Sequence, residues 1–218
     1  MKILIVLAHP ELQSMNGAMY HTAIETLQAE GHEVKVSDLY RQAFDPVSDR
    51  RNFTTVYNAA YFKQQLEEKH GVFAPDVETE QQKVEWCDLM IWQFPLWWFT
   101  VPGVLKGWVD RVFAYGRFYG EARCYQNGIF KGKKALLSLT TGGTAEKYEK
   151  TGEHGDLDAI LKPINRGMLE FVGFSVLEPH VVYAPVRMTQ KEREGILGDY
   201  SERLKGIFKE EFLNVGIY

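Results

Sequence analysis

Tyr148 and His154 stand six residues apart on LTTGGTAEKYEKTGEHGD (139–156), a segment that opens with Thr140, Thr141, Gly142 and Gly143. A phenol is a hydrogen-bond donor and an imidazole titrates near neutrality, so the pair could take up charge from a reacting group. The glycines let the backbone approach a ligand closely. A single His on a loop is usually just solvated, so this segment alone decides little.

Two other stretches carry chemistry of a different kind. In AHPELQSMNGAM (8–19), an apolar run gives way to a loop with Ser14 and Asn16, and then to a helical pattern. N–H groups at a helix start, beside small hydroxyl and amide side chains, suit a phosphate. Ser14 could equally be a plain N-cap. The dinucleotide fingerprint G-x-G-x-x-G and the P-loop G-x-x-x-x-G-K-[ST] are both missing, which argues against a Rossmann dehydrogenase and a P-loop NTPase. In FPLWWFTVPGVLKGW (94–108), Pro95 closes an apolar run, so Leu96, Trp97, Trp98 and Phe99 fall in the loop after it. Large aromatics on one loop need something flat beside them: a ring-shaped ligand, a partner subunit or the protein's own core. At the end of a strand, ligand plus subunit interface is the favoured reading.

The elements that must position these loops alternate. Strands are expected at 3–8, 32–39, 87–94, 134–140 and 174–183. Helical periodicity covers 16–30, 76–86, 101–113, 156–171 and 189–212, with stops at Gly31 and Gly173 and an N-cap at Thr189. Alternation implies parallel pairing through right-handed crossovers. Five strands fit an open α/β sheet, doubly wound with helices on both faces, rather than an eight-stranded barrel. The chain, 1–218, reads as one domain with an elaborated loop at 41–75 that is functional or partly helical. In such a sheet ligands sit beyond the carboxyl ends of the strands, where all three loops begin. A phosphate site, an aromatic wall and backbone amides with a Tyr/His pair together suit a flavin with one ring face open.

Bulk properties narrow the alternatives. The formal net charge is −4 and no long basic run occurs, which argues against nucleic acid or an anionic membrane surface as main partner. No stretch approaches the length of a membrane span. The apolar start MKILIVLA is too short for a signal peptide and is read as the first strand of a cytoplasmic protein. Cys87 and Cys124 could pair only if the fold joined them, and two free thiols is the plainer reading. The six histidines are scattered and no metal-ligand cluster is visible.

On LIVLAHPE (4–11), SDLY (37–40), QFPLWWF with VP and LKGW (93–108), the LTTGG loop with Tyr148 and HGD (154–156), and GF.VLEP (173–179), the sequence resembles the flavodoxin-like NAD(P)H:quinone oxidoreductases of the DT-diaphorase type. The resemblance spans nearly the whole chain. It implies a homodimer with flavin at the subunit interface, FAD rather than FMN given the insertion at 41–75, NAD(P)H as co-substrate and a quinone as acceptor. Position by position, it implies that His9, Ser14, Met15 and Asn16 hold the phosphates. Pro95, Leu96, Trp97, Trp98 and Phe99 would line the isoalloxazine, with Trp98 and Phe99 also meeting substrate. Thr140, Thr141, Gly142 and Gly143 would bond the pyrimidine edge, and Arg193 would lie on the adenine side. Tyr148 and His154 match the catalytic pair, and Tyr119 matches a substrate-contacting tyrosine.

The resemblance has departures. Trp97 stands where mammalian members carry Gln. The chain ends at Tyr218, without their C-terminal extension, and the segment 113–125 matches only in part. A flavodoxin-like FMN-binding electron carrier, or an ancillary regulatory subunit of an ion-efflux system, is the alternative. The Tyr148/His154 pair favours the enzyme, because a carrier needs no group to take up charge from a hydride.

Overall fold

Three apolar runs form the centre of one parallel sheet, β1 (Lys2–Leu7), β3 (Leu89–Pro95) and β4 (Lys134–Thr141), and the more polar β2 (Glu33–Asp38) pairs with β1 at its edge. The computed structural model describes residues 1–217. The strand order is β2-β1-β3-β4, and beyond β4 come β5 (Ser175–Val176) and β6 (His180–Tyr183), each paired with it. The order reverses between β1 and β3, so the loops leaving those strands diverge and open a crevice between them.

Two expectations are corrected. The fifth strand is broken into β5 (Ser175–Val176) and β6 (His180–Tyr183), both parallel to β4. Pro179 lies in the break and has no N–H to give to the ladder. Pro95 also does not stand outside β3. It is the strand's last residue, paired with Thr140, a place where a missing donor costs least.

Alternation along the strands divides the core. Ile3, Ile5, Leu89, Ile91 and Leu136 face α1 (Met15–Ala29) and α6 (Gln190–Gly206). Leu4, Val6, Met90, Trp92 and Leu137 face the opposite layer, built from α3 (Pro75–Trp86), α4 (Gly103–Val112) and α5 (Leu157–Ile164). Thr189 caps α6 through a full capping box with Glu192. The helix expected at 156–171 changes register. Past Pro163, which withholds one donor, it runs on as a π-helical segment, Asn165–Glu170.

The 41–75 excursion is partly helical. It holds a 3₁₀ turn, Arg50–Asn52, and the short helix α2 (Gln64–His70). Arg111 of α4, only 3% exposed, fastens it by donating to Asn52 Oδ1 at 2.7 Å, to the Asp45 carbonyl at 2.8 Å and to Asp76 Oδ2 at 2.8 Å. Cys87 and Cys124 are both free.

Candidate active site

The loop after β1 presents donors rather than a free hydroxyl. Ser14 Oγ donates to the Glu11 carbonyl at 2.6 Å and accepts from the Gly17 N–H at 3.2 Å. The capping reading is therefore correct for the side chain. Its effect is to leave Met15 and Asn16 as the first-turn N–H groups with no intrahelical acceptor, at the positive end of a 15-residue helix. Gly17 allows this start: a Cβ there would lie 2.0 Å from the Leu12 carbonyl oxygen. The Glu11 N–H lies 3.1 Å from His9 Nδ1 and steadies the ring at the cavity rim.

The Asn16 side chain turns inward. It is 3% exposed, accepts from Gln93 Nε2 at 2.9 Å and donates through Nδ2 to Thr140 Oγ1 at 2.8 Å. This buried chain ties the loop after β1 to the carboxyl ends of β3 and β4.

The aromatic loop after β3 divides. Leu96 is 8% exposed and belongs to the core, whereas Trp97, Trp98 and Phe99 are 43%, 93% and 47% exposed. The Thr100 N–H donates to the Trp97 carbonyl at 3.1 Å across a tight turn. Its two central residues, Trp98 and Phe99, have φ of 52° and 59°. Side chains with a Cβ resist that region, which normally selects Gly or Asn. The turn holds two aromatic rings out of the core at the cost of backbone strain.

The Thr-Gly-Gly turn after β4 is also tied down. Thr141 Oγ1 donates to the Gly143 carbonyl at 2.8 Å, and the Thr140 and Thr141 carbonyls accept from the N–H groups of Leu96 and Ala184. A Cβ on Gly143 would come within 3.1 Å of the Tyr148 ring and 3.3 Å of the His154 ring, so the glycine is what lets that pair lie against the turn. Gly142 by contrast faces open space. The Tyr148 and His154 centroids are 5.1 Å apart, and Phe99 meets His154 edge-on at 5.5 Å. Tyr148 is 8% exposed. Burial raises its phenol above the usual value, with the Gly143 backbone and Lys147 pulling the other way, so it carries its proton at neutral pH.

These loops enclose a cavity of about 490 Å³. Its lining gathers the expected residues of all three: His9, Ser14, Met15 and Asn16; then Pro95, Leu96, Trp97 and Trp98; then Thr140, Thr141 and Gly142. Phe99, Gly143, Tyr148 and His154 are outside its lining: Phe99 and Gly143 follow the lining residues Trp98 and Gly142 in the chain, His154 packs on Phe99 and Tyr148, and Tyr148 lines a separate cavity of about 500 Å³ with Asp156, Leu157 and Tyr183. Two further expected residues lie elsewhere. Arg193 bonds the Met188 carbonyl through Nε and Nη2, at 3.2 and 2.7 Å. Tyr119 lines a separate cavity of about 510 Å³ with Glu68, Phe113 and Phe171.

Three residues of the site went unread in the sequence. Pro185 and Val186 line the cavity from the segment after β6, which comes close only because β6 lies against β4. Gln93 sits behind it, and its signal was available: one amide inside the apolar run LMIWQF. Among the described residues no group of three or more His, Cys, Asp or Glu is placed to hold a metal ion. None of the helices described there is long and apolar enough to cross a membrane.

The cavity fits a flavin on its own geometry. Aromatic side chains stand along one side, Gly142 leaves room on another, and uncapped N–H groups await an anion at one end.

Comparison with known proteins agrees. The profile of the flavodoxin-like fold family matches residues 1–204. The human ribosyldihydronicotinamide dehydrogenase [quinone] is 44% identical over 215 residues, covering 96% of this chain and 93% of that protein. NAD(P)H dehydrogenase [quinone] 1 of Cavia porcellus is 46% identical over 214 residues, covering 96% and 78%. A crystal structure of a candidate quinone reductase from Klebsiella pneumoniae superposes with a TM-score of 0.91 at 37% identity, covering 97% of this chain and 86% of that one. The chain belongs to the flavodoxin-like fold family, within its NAD(P)H:quinone oxidoreductase group.

Proposed function

We propose that this chain is an NAD(P)H dehydrogenase that reduces quinones by two electrons through a flavin seated beyond β1, β3 and β4. One observation carries the placement: a single cavity collects a helix start with free N–H donors, an aromatic wall and the Thr-Gly-Gly turn. A bound flavin supplies the two-electron chemistry, hydride in from a dihydronicotinamide and hydride out to a quinone.

The chain's own residues do the rest. Met15 and Asn16 bind the phosphate end through main-chain N–H groups held in place by the Ser14 cap, with His9 beside them. Leu96, Trp97, Trp98 and Phe99 line the ring and keep water from its covered side, above Pro95. Thr140 and the amides of the Thr141–Gly143 turn would hold the pyrimidine edge and offer donors to negative charge there. Tyr148, protonated at neutral pH, donates to that edge. His154, packed against Tyr148 and Phe99, takes up or returns a proton there. With no dinucleotide fingerprint anywhere in the sequence, reductant and quinone use the same open face in turn.

FAD is the flavin assigned. Arg193 stands at the start of α6, and the segment just before it, Pro185–Val186, lines the cavity. The adenine end is placed on that side. A homodimer is assigned as well. Trp98 is 93% exposed on a strained turn and calls for cover from a second copy. Tyr119, set in a separate cavity of its own chain, then meets substrate from across the interface. The protein is assigned to the cytoplasm.

Steady-state oxidation of NADH and NADPH with menadione, on protein of known flavin content, tests the function. The expected result is menadione-dependent turnover with parallel double-reciprocal plots. A protein that carries one flavin per chain and still passes no electrons to menadione is a carrier instead.

A further inference from the structure

Four buried side-chain atoms on the α1–α6 side of the sheet have no well-formed hydrogen bond among the described residues: Gln93 Oε1, Ser138 Oγ, His180 Nε2 and Tyr200 OH, although Ser138 stands near enough to the Tyr200 phenol to interact with it. They are neighbours. The strand register sets Gln93 beside Ser138 and Ser138 beside His180, and paired residues of parallel strands point to the same face. Tyr200 descends from α6 and stacks on the His180 ring at 4.2 Å. Gln93, Ser138 and Tyr200 are 1%, 0% and 0% exposed.

A protein has few such atoms, and this cluster, with only the Ser138–Tyr200 contact inside it and nothing for Gln93 Oε1 or His180 Nε2, asks for a small bridging ligand. Its chemistry is neutral. Gln93 Oε1 only accepts, the two hydroxyls donate and accept, and burial followed by Arg203 holds His180 down to about 4, so its ring is uncharged. A small neutral molecule that both donates and accepts fits this set, and water is that molecule.

The row meets the active-site cavity through Gln93. Gln93 Nε2 donates to Asn16 Oδ1, and Asn16 Nδ2 donates to Thr140 Oγ1. Direction matters here. Because Thr140 receives from Asn16, its own O–H remains to donate, and Thr140 lines the cavity. With both amides turned over, Thr140 would donate to Asn16 and face the cavity as an acceptor only. A donor on Gln93 Oε1 selects between the two arrangements.

We infer that Ser138, His180 and Tyr200 hold an internal water that donates to Gln93 Oε1, and that this fixes the Gln93–Asn16–Thr140 chain in the direction that offers the Thr140 hydroxyl to the cavity. The acceptor it meets there, a carbonyl on the pyrimidine edge, rests on the flavin reading above. The water and the chain direction do not. Ser138, His180 and Tyr200 are positioning residues, acting on the cavity only through Gln93.

Two measurements test this. An atomic-resolution crystal structure of the cofactor-free protein is expected to show an ordered water within hydrogen-bond distance of Gln93 Oε1 and of at least one of Ser138 Oγ, His180 Nε2 and Tyr200 OH. A dry row overturns the inference. FAD titration, followed by quenching of its fluorescence, is then compared in wild type, Ser138→Ala, Ser138→Thr and Tyr200→Phe. Losing one well-aimed donor is expected to weaken FAD by about tenfold in Ser138→Ala and in Tyr200→Phe. Ser138→Thr, which keeps the hydroxyl, is expected to restore it. Wild-type affinity in Ser138→Ala and Tyr200→Phe overturns the inference, and if Ser138→Ala fails to fold, Tyr200→Phe decides alone. A wild-type protein that binds no FAD contradicts the flavin reading, and the crystal structure still decides the water.

Discussion

The Phe99 ring meets the His154 imidazole edge-on, with centroids 5.5 Å apart and planes inclined at 70°. The two residues stand on loops that leave different strands, β3 and β4. Phe99 reaches this position with its backbone at φ 59°. The contact joins the strained aromatic turn to the Tyr148/His154 pair.

Because Trp98 holds a left-handed backbone and is 93% exposed in the single chain, Trp98→Gly removes strain and little packing within that chain. A left-handed residue with a Cβ costs about 1–2 kcal/mol, and glycine returns about 0.5–1 kcal/mol of that in chain entropy. Stability in urea is expected to stay level or rise by up to about 1 kcal/mol while menadione turnover falls. A loss of stability would show that the turn is not strained.

Tyr148→Phe and His154→Gln each remove one group aimed at the charged edge. Each is expected to slow flavin reduction by about a hundredfold while flavin stays bound. Stopped-flow bleaching of the flavin with NADH and NADPH reads this directly. Wild-type rates in both variants would contradict the assigned roles.

Gly143→Ala places a methyl 3.1 Å from the Tyr148 ring and 3.3 Å from the His154 ring. Displacing the pair by even a fraction of an ångström is expected to lower kcat by about tenfold or more, with a smaller effect on flavin affinity. Equal losses in kcat and in flavin occupancy would assign the turn to binding alone.

His180 makes stability depend on pH. Burial first, and Arg203 second, hold its folded pKa at about 4 against Glu210 and Asp199, which pull upward. The unfolded chain takes up the proton near pH 6.5, so between about 6.5 and 4 it binds more protons than the folded chain. Stability is therefore full above that window and falls as pH drops through it, by up to about 3 kcal/mol. Urea unfolding of wild type and His180→Gln at pH 7 and 4.5 is expected to show a clearly smaller drop in the variant. Parallel curves would mean that His180 is solvated.

Arg111→Met strips a buried guanidinium from Asn52, Asp45 and Asp76. Partners left unsatisfied are expected to cost about 3 kcal/mol in urea unfolding. Proteolysis of the native variant is expected to begin within 41–75, the segment that Arg111 anchors.

Much of this architecture was legible in the sequence, for identifiable reasons. β1, β3 and β4 are mostly apolar runs, broken within by only a few polar residues such as Gln93 and Ser138, because both faces of a parallel sheet are covered. The three loops could be paired with one another because ligands collect at strand carboxyl ends. What escaped depends on contacts distant in sequence. Pro185 and Val186 join the cavity only through the pairing of β6 with β4. Asn16 read as a phosphate ligand, yet its side chain is committed to Gln93 and Thr140, 77 and 124 residues away. The break at Pro179 was masked because Val176 and Leu177 before it and Val181 and Val182 after it read as one strand.

The central claim is that the strand-end cavity holds a flavin, and a titration tests it most directly. Protein freed of cofactor is titrated with FAD and with FMN while flavin fluorescence and the visible spectrum are recorded. The account predicts saturable quenching at one flavin per chain, tighter for FAD, and a marked loss of affinity in Gly142→Val, which fills the open side of the cavity. Fluorescence and spectra that match free flavin at every protein concentration would contradict it.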